Sequence, residues 1–341
     1  MHELLAIHSV PNMGSQRMRL ILDHYAWDAV SAWADRRNWG GIPGLPRDIA
    51  ALLISGAEKL DVDAVFAQFF RSGAKLVTLQ DAAYPALLRE INEAPPLLFY
   101  KGVLPKPDNL CLAMVGSRRF TNYGREVAQL LSRDLARQGL WIVSGLARGI
   151  DSFCHSGALE VGGKTIAFVG SGIDICYPRE NQKLEQKIIE NGAVISELPV
   201  GSPPIAQNFP MRNRLISGIS QGVVVVEAGQ KSGTLRTVDF ALAQGRDVFV
   251  VPGPITSPMS KGTNQLIKEG MCPITCAEDV LQHYPAQPAL FPLETLDLQE
   301  KTPHPLARPD DSPANVEEQI LEMTIMPLHF DDIAKNLTMQ P

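Results

Sequence analysis

No stretch of this 341-residue chain stays apolar for the length that a membrane span requires, and Met1 to Gly14 lacks a basic start leading into a long apolar run. A helical membrane protein and a secreted precursor are therefore not expected, and the cytoplasm is the expected setting. Cysteine is sparse as well. The five thiols, Cys111, Cys154, Cys176, Cys272 and Cys276, form an odd set without a C-x-x-C pair or a nearby histidine pair, which argues against a disulfide framework and a metal site. The familiar nucleotide fingerprints are also missing. A dinucleotide motif needs G-x-G-x-x-G opening a helix, whereas Gly116 is followed by Ser117 and Arg118, and Gly170 and Gly172 lack the third glycine. Gly162-Gly163-Lys164-Thr165 resembles the end of a P-loop, but Gly157 is one residue out of register. The segment also leads into the apolar run Ile166 to Val169, a strand, where a P-loop opens a helix. NAD, FAD and ATP hydrolysis fit poorly, and no cofactor is expected.

Nor is there a large positive charge: the formal net charge is −6. It divides unevenly, as −1 for residues 1–109, +2 for 110–282 and −7 for 283–341. The central segment is the least acidic, and its arginines cluster near glycine turns. Local sign matters more to an anion site than total charge does.

Four such turns are present, each closing a strand-like run: MVGSRRFTNYG at Met114 to Gly124, SGLARGID at Ser144 to Asp151, GSGIDICYPREN at Gly170 to Asn181 and EAGQKSGTL at Glu227 to Leu235. The first is the most informative. Apolar residues Leu110 to Val115 read as a buried strand, Gly116 breaks it, and Gly124 to Gln138 carries apolar positions at helical spacing. Backbone N–H groups at a strand-to-helix turn favour anions, and the paired Arg118 and Arg119 add planar, permanently charged forks suited to phosphate oxygens. In an open parallel sheet, ligands lie outside the carboxyl ends of the strands.

Strands are expected at Leu110–Val115, Trp141–Ser144, Thr165–Val169, Ala193–Ser196, Val223–Val226 and Asp247–Val251, alternating with helical patterns. This predicts an open α/β sheet with helices on both faces over residues 110–283. Residues 1–84 read as a helical domain. IHSVPNMGSQRMRLILDHY there suggests a helix-hairpin-helix unit, IPGLPRDIAALL a degenerate second copy, and Trp27, Trp33 and Trp39 a packed core. Such hairpins serve either to hold a DNA backbone through helix N-terminal amides or as packing units. Residues 85–109 are proline-rich and read as a connector, and 284–314, with seven prolines between Tyr284 and Pro313, as a linker. Residues 315–341 offer two short amphipathic helices that resemble the opening of a winged-helix domain. The segment is incomplete, since no recognition helix or wing follows in this sequence.

Taken in order, GSRRFTNYG, SGLARGIDSFCH, GSGIDICYPREN, NFPMRNRLISGIS, EAGQKSGTL, QGRDVFVVPGPI and KGTNQLIKEG cover about half of the chain and resemble the signature set of the DNA-processing protein A (DprA/Smf) family. The resemblance implies an extended Rossmann-like, doubly wound, mostly parallel sheet. It also implies a protein of natural transformation that binds single-stranded DNA, protects incoming strands, loads the RecA recombinase and acts as a homodimer without catalysis. Carried over position by position, the phosphate-binding set is Gly116, Ser117, Arg118, Arg119, Arg148, Gly170, Arg179, Asn208, Arg212, Asn213, Arg214, Lys231, Ser232, Gly233 and Thr234. Lys261, Thr263 and Asn264 would extend the groove, and Tyr177 and Phe209 would stack on bases, since single strands bind through π-faces as well as cations.

Two departures from the family pattern stand out: Met211-Arg212 where two adjacent arginines are usual, and Thr234 and Arg236 where smaller or apolar residues are usual. The competing expectation is a hydrolase of nucleoside monophosphates on a related Rossmann-like fold, whose phosphate loop EAGQKSGTL resembles. Such enzymes carry a glutamate soon after the glycine-threonine pair, and here Arg236 and Thr237 stand in that neighbourhood. Asp151 and Glu227 are more readily read as caps and arginine partners than as acid/base catalysts.

Overall fold

Seven parallel strands form the middle and one edge of a nine-stranded sheet in a computed structural model that describes residues 1–284. The proline-rich 284–314 stretch beyond Tyr284 and the winged-helix-like 315–341 segment lie outside the described residues. The chain opens with helices α1 (His2–Ser9), α2 (Gly14–His24), α3 (Ala29–Ala34), α4 (Arg47–Glu58) and α5 (Val62–Ser72). It continues through β1 (Lys75–Thr78), α6 (Ala86–Arg89), β2 (Leu97–Gly102), β3 (Cys111–Gly116), α7 (Asn122–Arg137), β4 (Trp141–Ser144), α8 (Ile150–Glu160) and β5 (Thr165–Phe168). Then follow α9 (Gln182–Asn191), β6 (Ala193–Ser196), α10 (Asn208–Gly218), β7 (Gly222–Glu227), α11 (Thr234–Ala243), β8 (Asp247–Val250), α12 (Lys261–Lys268), β9 (Cys272–Pro273) and α13 (Ala277–Leu281).

The strand order is β1-β2-β6-β5-β4-β3-β7-β8-β9, with β1 and β2 antiparallel additions at one edge. The chain enters the parallel part at β3, winds outward to β6, and returns to lay β7 against the other side of β3. This is the doubly wound, Rossmann-like arrangement, and its direction reverses between β3 and β7. Strands covered on both faces read as continuous apolar runs. Val223, Val224, Val225 and Val226 are all buried, each worth about 1.5–3 kcal/mol when fully removed from water. Alternate residues serve opposite layers: Val223 and Val225 pack with α10 and α11 through Leu215 and Val238, and Val224 and Val226 with α7 and α8 through Leu131 and Cys154.

The six expected strands are present, and Gly162 to Thr165 does lead into β5. The connector reading of 85–109 is corrected. Leu97–Gly102 is strand β2, paired antiparallel with β6, and Leu97 and Phe99 are buried beneath the N-terminal helices. Prolines 95, 96 and 105 bracket the strand without entering it, as an N–H-deficient residue must. Strands β1 and β9 are further additions that the apolar pattern does not single out.

The hairpin expected near Pro11 is formed by α1 and α2, its turn carried by Asn12 (φ 64°) and Gly14 (φ 56°). The second copy is only half helical: a 3₁₀ turn over Arg36–Gly41 precedes α4. Trp39 is fully buried, donates to the Ala32 carbonyl at 3.0 Å and meets Trp33 edge-on. The helices share one core with β2, β5 and β6 through Leu5, Leu22, Phe99, Ala167 and Val194.

Candidate functional site

The reversal between β3 and β7 leaves the loops that follow these two strands splayed around a crevice at their carboxyl ends, as the winding rule requires. Ser117 N–H donates to the Glu227 carbonyl at 2.8 Å, which ties the first loop to the end of β7. The loop after β4 packs directly behind the first. Gly149, at φ 84°, stands so close that a Cβ there would lie 2.5 Å from the Ser117 carbonyl oxygen. Gly116 is equally constrained, because a Cβ would meet Ile150 at 2.6 Å. These glycines let three backbones converge beside the crevice.

The crevice has a volume of about 920 Å³. Its lining includes six cations, Arg118, Arg119, Arg212, Lys231, Arg236 and Lys261, against one carboxylate, Asp151. That carboxylate is buried and already engaged, accepting from Gly145 N–H at 3.2 Å and Ala147 N–H at 3.4 Å. The net field is therefore positive in a molecule whose total charge is negative. The amino end of α11, reached through Ser232, Gly233 and Thr234, adds its dipole to the same wall. Ser232 Oγ donates to Thr234 Oγ1 at 2.9 Å and accepts from Thr234 N–H at 3.3 Å, which fixes this turn.

Two ring faces lie beside the cations. The Arg118 guanidinium sits 5.5 Å from the centre of the Phe209 ring, within cation–π range. Phe209 in turn lies 5.4 Å from Tyr177, tilted by 43°. Tyr177 is 45% exposed, so its face is open to a ligand.

The structure gathers most of the expected residues here. Gly116, Ser117, Arg118, Arg119, Arg212, Asn213, Lys231, Ser232, Gly233, Thr234, Tyr177, Phe209 and Lys261 line the crevice. The others stand elsewhere, for identifiable reasons. Arg214 is buried and paired with Glu197 at 2.5 Å and Glu93 at 3.5 Å, carboxylates that also accept from Ser15 and Gln16 of α2. Arg148 forms a two-point pair with Glu180 outside the lining, and Arg179 is exposed beside it. Gly170 lies behind Phe209, where a Cβ would be 2.9 Å from the ring, and Asn208 Nδ2 donates to the Gly170 carbonyl at 3.2 Å. Thr263 is spent on the Ser260 carbonyl at 3.0 Å, and Asn264 bridges the N–H and carbonyl of Gly253.

Arg212 lines the crevice but is not a free cation. Buried against the ends of β4 and β5, it donates to the Gly145 carbonyl at 2.6 Å and to the Phe168 carbonyl. Burial lowers its pKa to about 10, with Asp151 opposing that shift. Asp151 is raised above the usual carboxylate range, by burial first, against the pull of Arg212. Glu227 is also occupied, accepting from Thr121 N–H at 3.0 Å and Thr121 Oγ1 at 2.8 Å. Both carboxylates hold loops in shape.

Gln230, Pro258 and Met259 also line the crevice, outside the expected set, and so does Arg236, which the sequence marks only as a departure from the family pattern. Glutamine, proline and methionine carry no signal of their own. Proximity to EAGQKSGTL and KGTNQLIKEG was the usable clue.

A doubly wound sheet with a cationic crevice at its switch point defines an α/β protein of the Rossmann-like class. The family model for DNA recombination-mediator protein A matches residues 75–285, more than half of the chain. The chain belongs to that family. It is 44% identical over 209 residues to protein Smf of Escherichia coli, a match covering 61% of this chain and 56% of that protein. It is 43% identical over 207 residues to DNA processing protein DprA of Streptococcus pneumoniae, covering 61% and 73% respectively. The chain thus spans little more than half of the Escherichia coli relative. The X-ray structure of the Streptococcus pneumoniae protein superposes with a TM-score of 0.73 at 34% identity, over 84% of this chain and 99% of that one. The Helicobacter pylori DNA processing protein A, described for its single-stranded DNA binding mode, aligns with a TM-score of 0.55 at 30% identity, over 63% and 99%. No helix among the described residues is long and apolar enough to cross a membrane.

Proposed function

We propose that the crevice holds the phosphate backbone of single-stranded DNA, with Arg118, Arg119, Lys231 and Lys261 as the phosphate-seeking cations and Tyr177 and Phe209 as base-stacking faces. The observation that carries this reading is the imbalance at the switch point: six cations against one carboxylate that is already engaged. Single strands suit such a site because unpaired bases offer π-faces that a duplex keeps stacked. The Helicobacter pylori relative, described for binding single-stranded DNA, supports the same ligand. On this reading the protein is non-catalytic: it protects incoming DNA in transformation, loads the RecA recombinase and works as a homodimer. These finer roles rest on family membership. The engaged state of Asp151 and Glu227 supports the absence of catalysis, since neither carboxylate is poised to move a proton.

The test is fluorescence anisotropy of a labelled oligonucleotide, single-stranded and duplexed, at several salt concentrations. Preference for the single strand, with log K falling against log salt at about −0.7 per neutralised phosphate, is the expected outcome. Absence of binding to either form overturns the reading and directs attention to hydrolysis of nucleoside monophosphates.

A further inference from the structure

Beyond the Tyr177 edge of the crevice the protein carries two more arginines, and they are not equivalent. Arg179 is exposed, with no ion pair or side-chain hydrogen bond of its own among the described residues. Arg148 is held by Glu180 through both guanidinium nitrogens Nε and Nη2, the latter at 2.7 Å. Glu180 belongs to the GSGIDICYPREN block and is exposed. It follows Tyr177 and Arg179 in a loop whose other tie to the Arg148 loop is made by Asn181, which donates to the Leu146 carbonyl and to Ser152 Oγ at 2.9 Å each. The two loops are thus joined without help from Glu180. What the carboxylate does contribute is a two-oxygen acceptor on a guanidinium fork, the same geometry that a phosphate group presents to arginine. The pair is exposed to solvent on both sides, at 65% for Arg148 and 53% for Glu180, so a passing anion can reach the guanidinium once the competing carboxylate charge is removed.

We propose that Glu180 acts as an internal phosphate surrogate that withholds Arg148 from a polynucleotide backbone leaving the crevice past Tyr177. Glu180 therefore sets how many phosphates the groove neutralises. The inference rests on the single-strand reading above and deepens it. With Glu180 in place the backbone track ends near Arg179; with its charge removed, Arg148 becomes one additional phosphate contact. A salt bridge that merely braced the two loops would give the opposite result, since its removal would loosen Tyr177 and Arg179 and weaken binding.

The experiment compares the unmodified chain, Glu180→Gln, and the double variant Arg148→Ala with Glu180→Gln, titrating a labelled single-stranded oligonucleotide long enough to overrun the crevice. For Glu180→Gln the expected result is tighter binding, about fivefold at 50 mM salt, with a salt slope steeper by about 0.7, the signature of one added phosphate. The double variant should lose that gain and return to the original slope. Unchanged or weaker binding by Glu180→Gln overturns the proposal, as does a gain that persists without Arg148, since that would be a general charge effect. The unmodified chain separates the two readings. If it fails to bind single strands at all, the functional reading falls first; if it binds and Glu180→Gln behaves like it, only the surrogate is lost.

Discussion

Arg118 and Arg214 both come from basic motifs beside the sheet's carboxyl edge, yet they face opposite fates. Arg118 stands in the crevice against an aromatic ring and no carboxylate, while Arg214 is buried between Glu197 and Glu93. The same contrast runs through the site as a whole. The loops after β3 and β7 keep Arg118, Arg119 and Lys231 available, whereas beside the ends of β4 and β5 Arg148 is spent on Glu180 and Arg212, from α10, on carbonyls. Glycine-and-arginine turns of similar appearance therefore build two kinds of region, one open to the crevice and one engaged by the protein itself. The deciding factor is whether the topology brings an acceptor to the guanidinium.

Breaking the inward-facing set should produce the largest effect. Arg214→Ala leaves the Glu197 carboxylate with only Ser15, which donates to it at 3.2 Å, and burial already holds that carboxyl above its usual range against the opposing influence of Arg214. Removing one partner of a buried pair costs about 3–5 kcal/mol, because the other charge stays behind. Urea denaturation should register that loss. At a temperature where the variant remains folded, its salt slope for single-stranded DNA should match that of the unmodified chain; a slope reduced by one phosphate would place Arg214 in the groove after all.

The buried region should also control the response to acid. The His155 Nδ1–H donates to Thr165 Oγ1 at 2.7 Å, and Thr165 in turn donates to the Ile142 carbonyl at 2.7 Å, so the neutral ring is locked in one tautomer. Burial first, and the nearby charge of Arg212 second, lower its pKa to about 3. The unfolded chain therefore takes up a proton as pH falls through about 6.5, while the folded chain does not until about 3. Stability from this group is complete above pH 6.5 and declines progressively below it, by about 2 kcal/mol at pH 5. The raised carboxyls of Asp151 and Glu197 act in the other direction, since acid relieves the cost of burying their charge. Comparing urea midpoints at pH 7 and pH 5 for the unmodified chain and His155→Gln isolates the histidine. An equal decline in both proteins would show that the ring does not carry the effect.

How much of this contrast the sequence discloses follows from the range of the interactions involved. The parallel strands are legible because burial on both faces makes each a short apolar run, such as Val223 to Val226, ended by a glycine or polar turn. Strand β2 is hidden because Leu97 to Gly102 sits between proline pairs, and its partner β6 lies almost a hundred residues on. The outward-facing residues are legible for a similar reason. Arg118, Ser232 and Thr234 belong to local strand-to-helix turns whose geometry is set within a few residues. The inward-facing ones depend on distant acceptors: Glu180 lies 32 positions from Arg148, and Arg212 reaches back 67 positions to Gly145. No local pattern distinguishes an arginine that will meet such an acceptor from one that will not.

On the outward side, Arg118→Ala should reduce single-strand affinity by about tenfold at 50 mM salt and flatten the salt slope by about 0.7. The loss should be similar for oligonucleotides of different sequence, because a phosphate contact reads no bases. A loss that varied with sequence would mean that Arg118, through its place over Phe209, helps to hold a base instead.

Arg148→Ala should have the smallest effect of all, and that is why it sharpens the comparison most. If Arg148 belonged with Arg118, its removal would cost one phosphate and the salt slope would flatten. If Glu180 already occupies it, its removal should change affinity by less than twofold and leave the slope unaltered, since the groove never had that contact to lose. Stability should change little as well, because an exposed pair is screened by water and salt and the Asn181 ties still join the two loops. Arg118 lines the crevice and Arg148 stands outside it, and a carboxylate is within reach of the second and not the first. Equal losses from the two substitutions would mean that the carboxylate does not govern which cations meet the DNA.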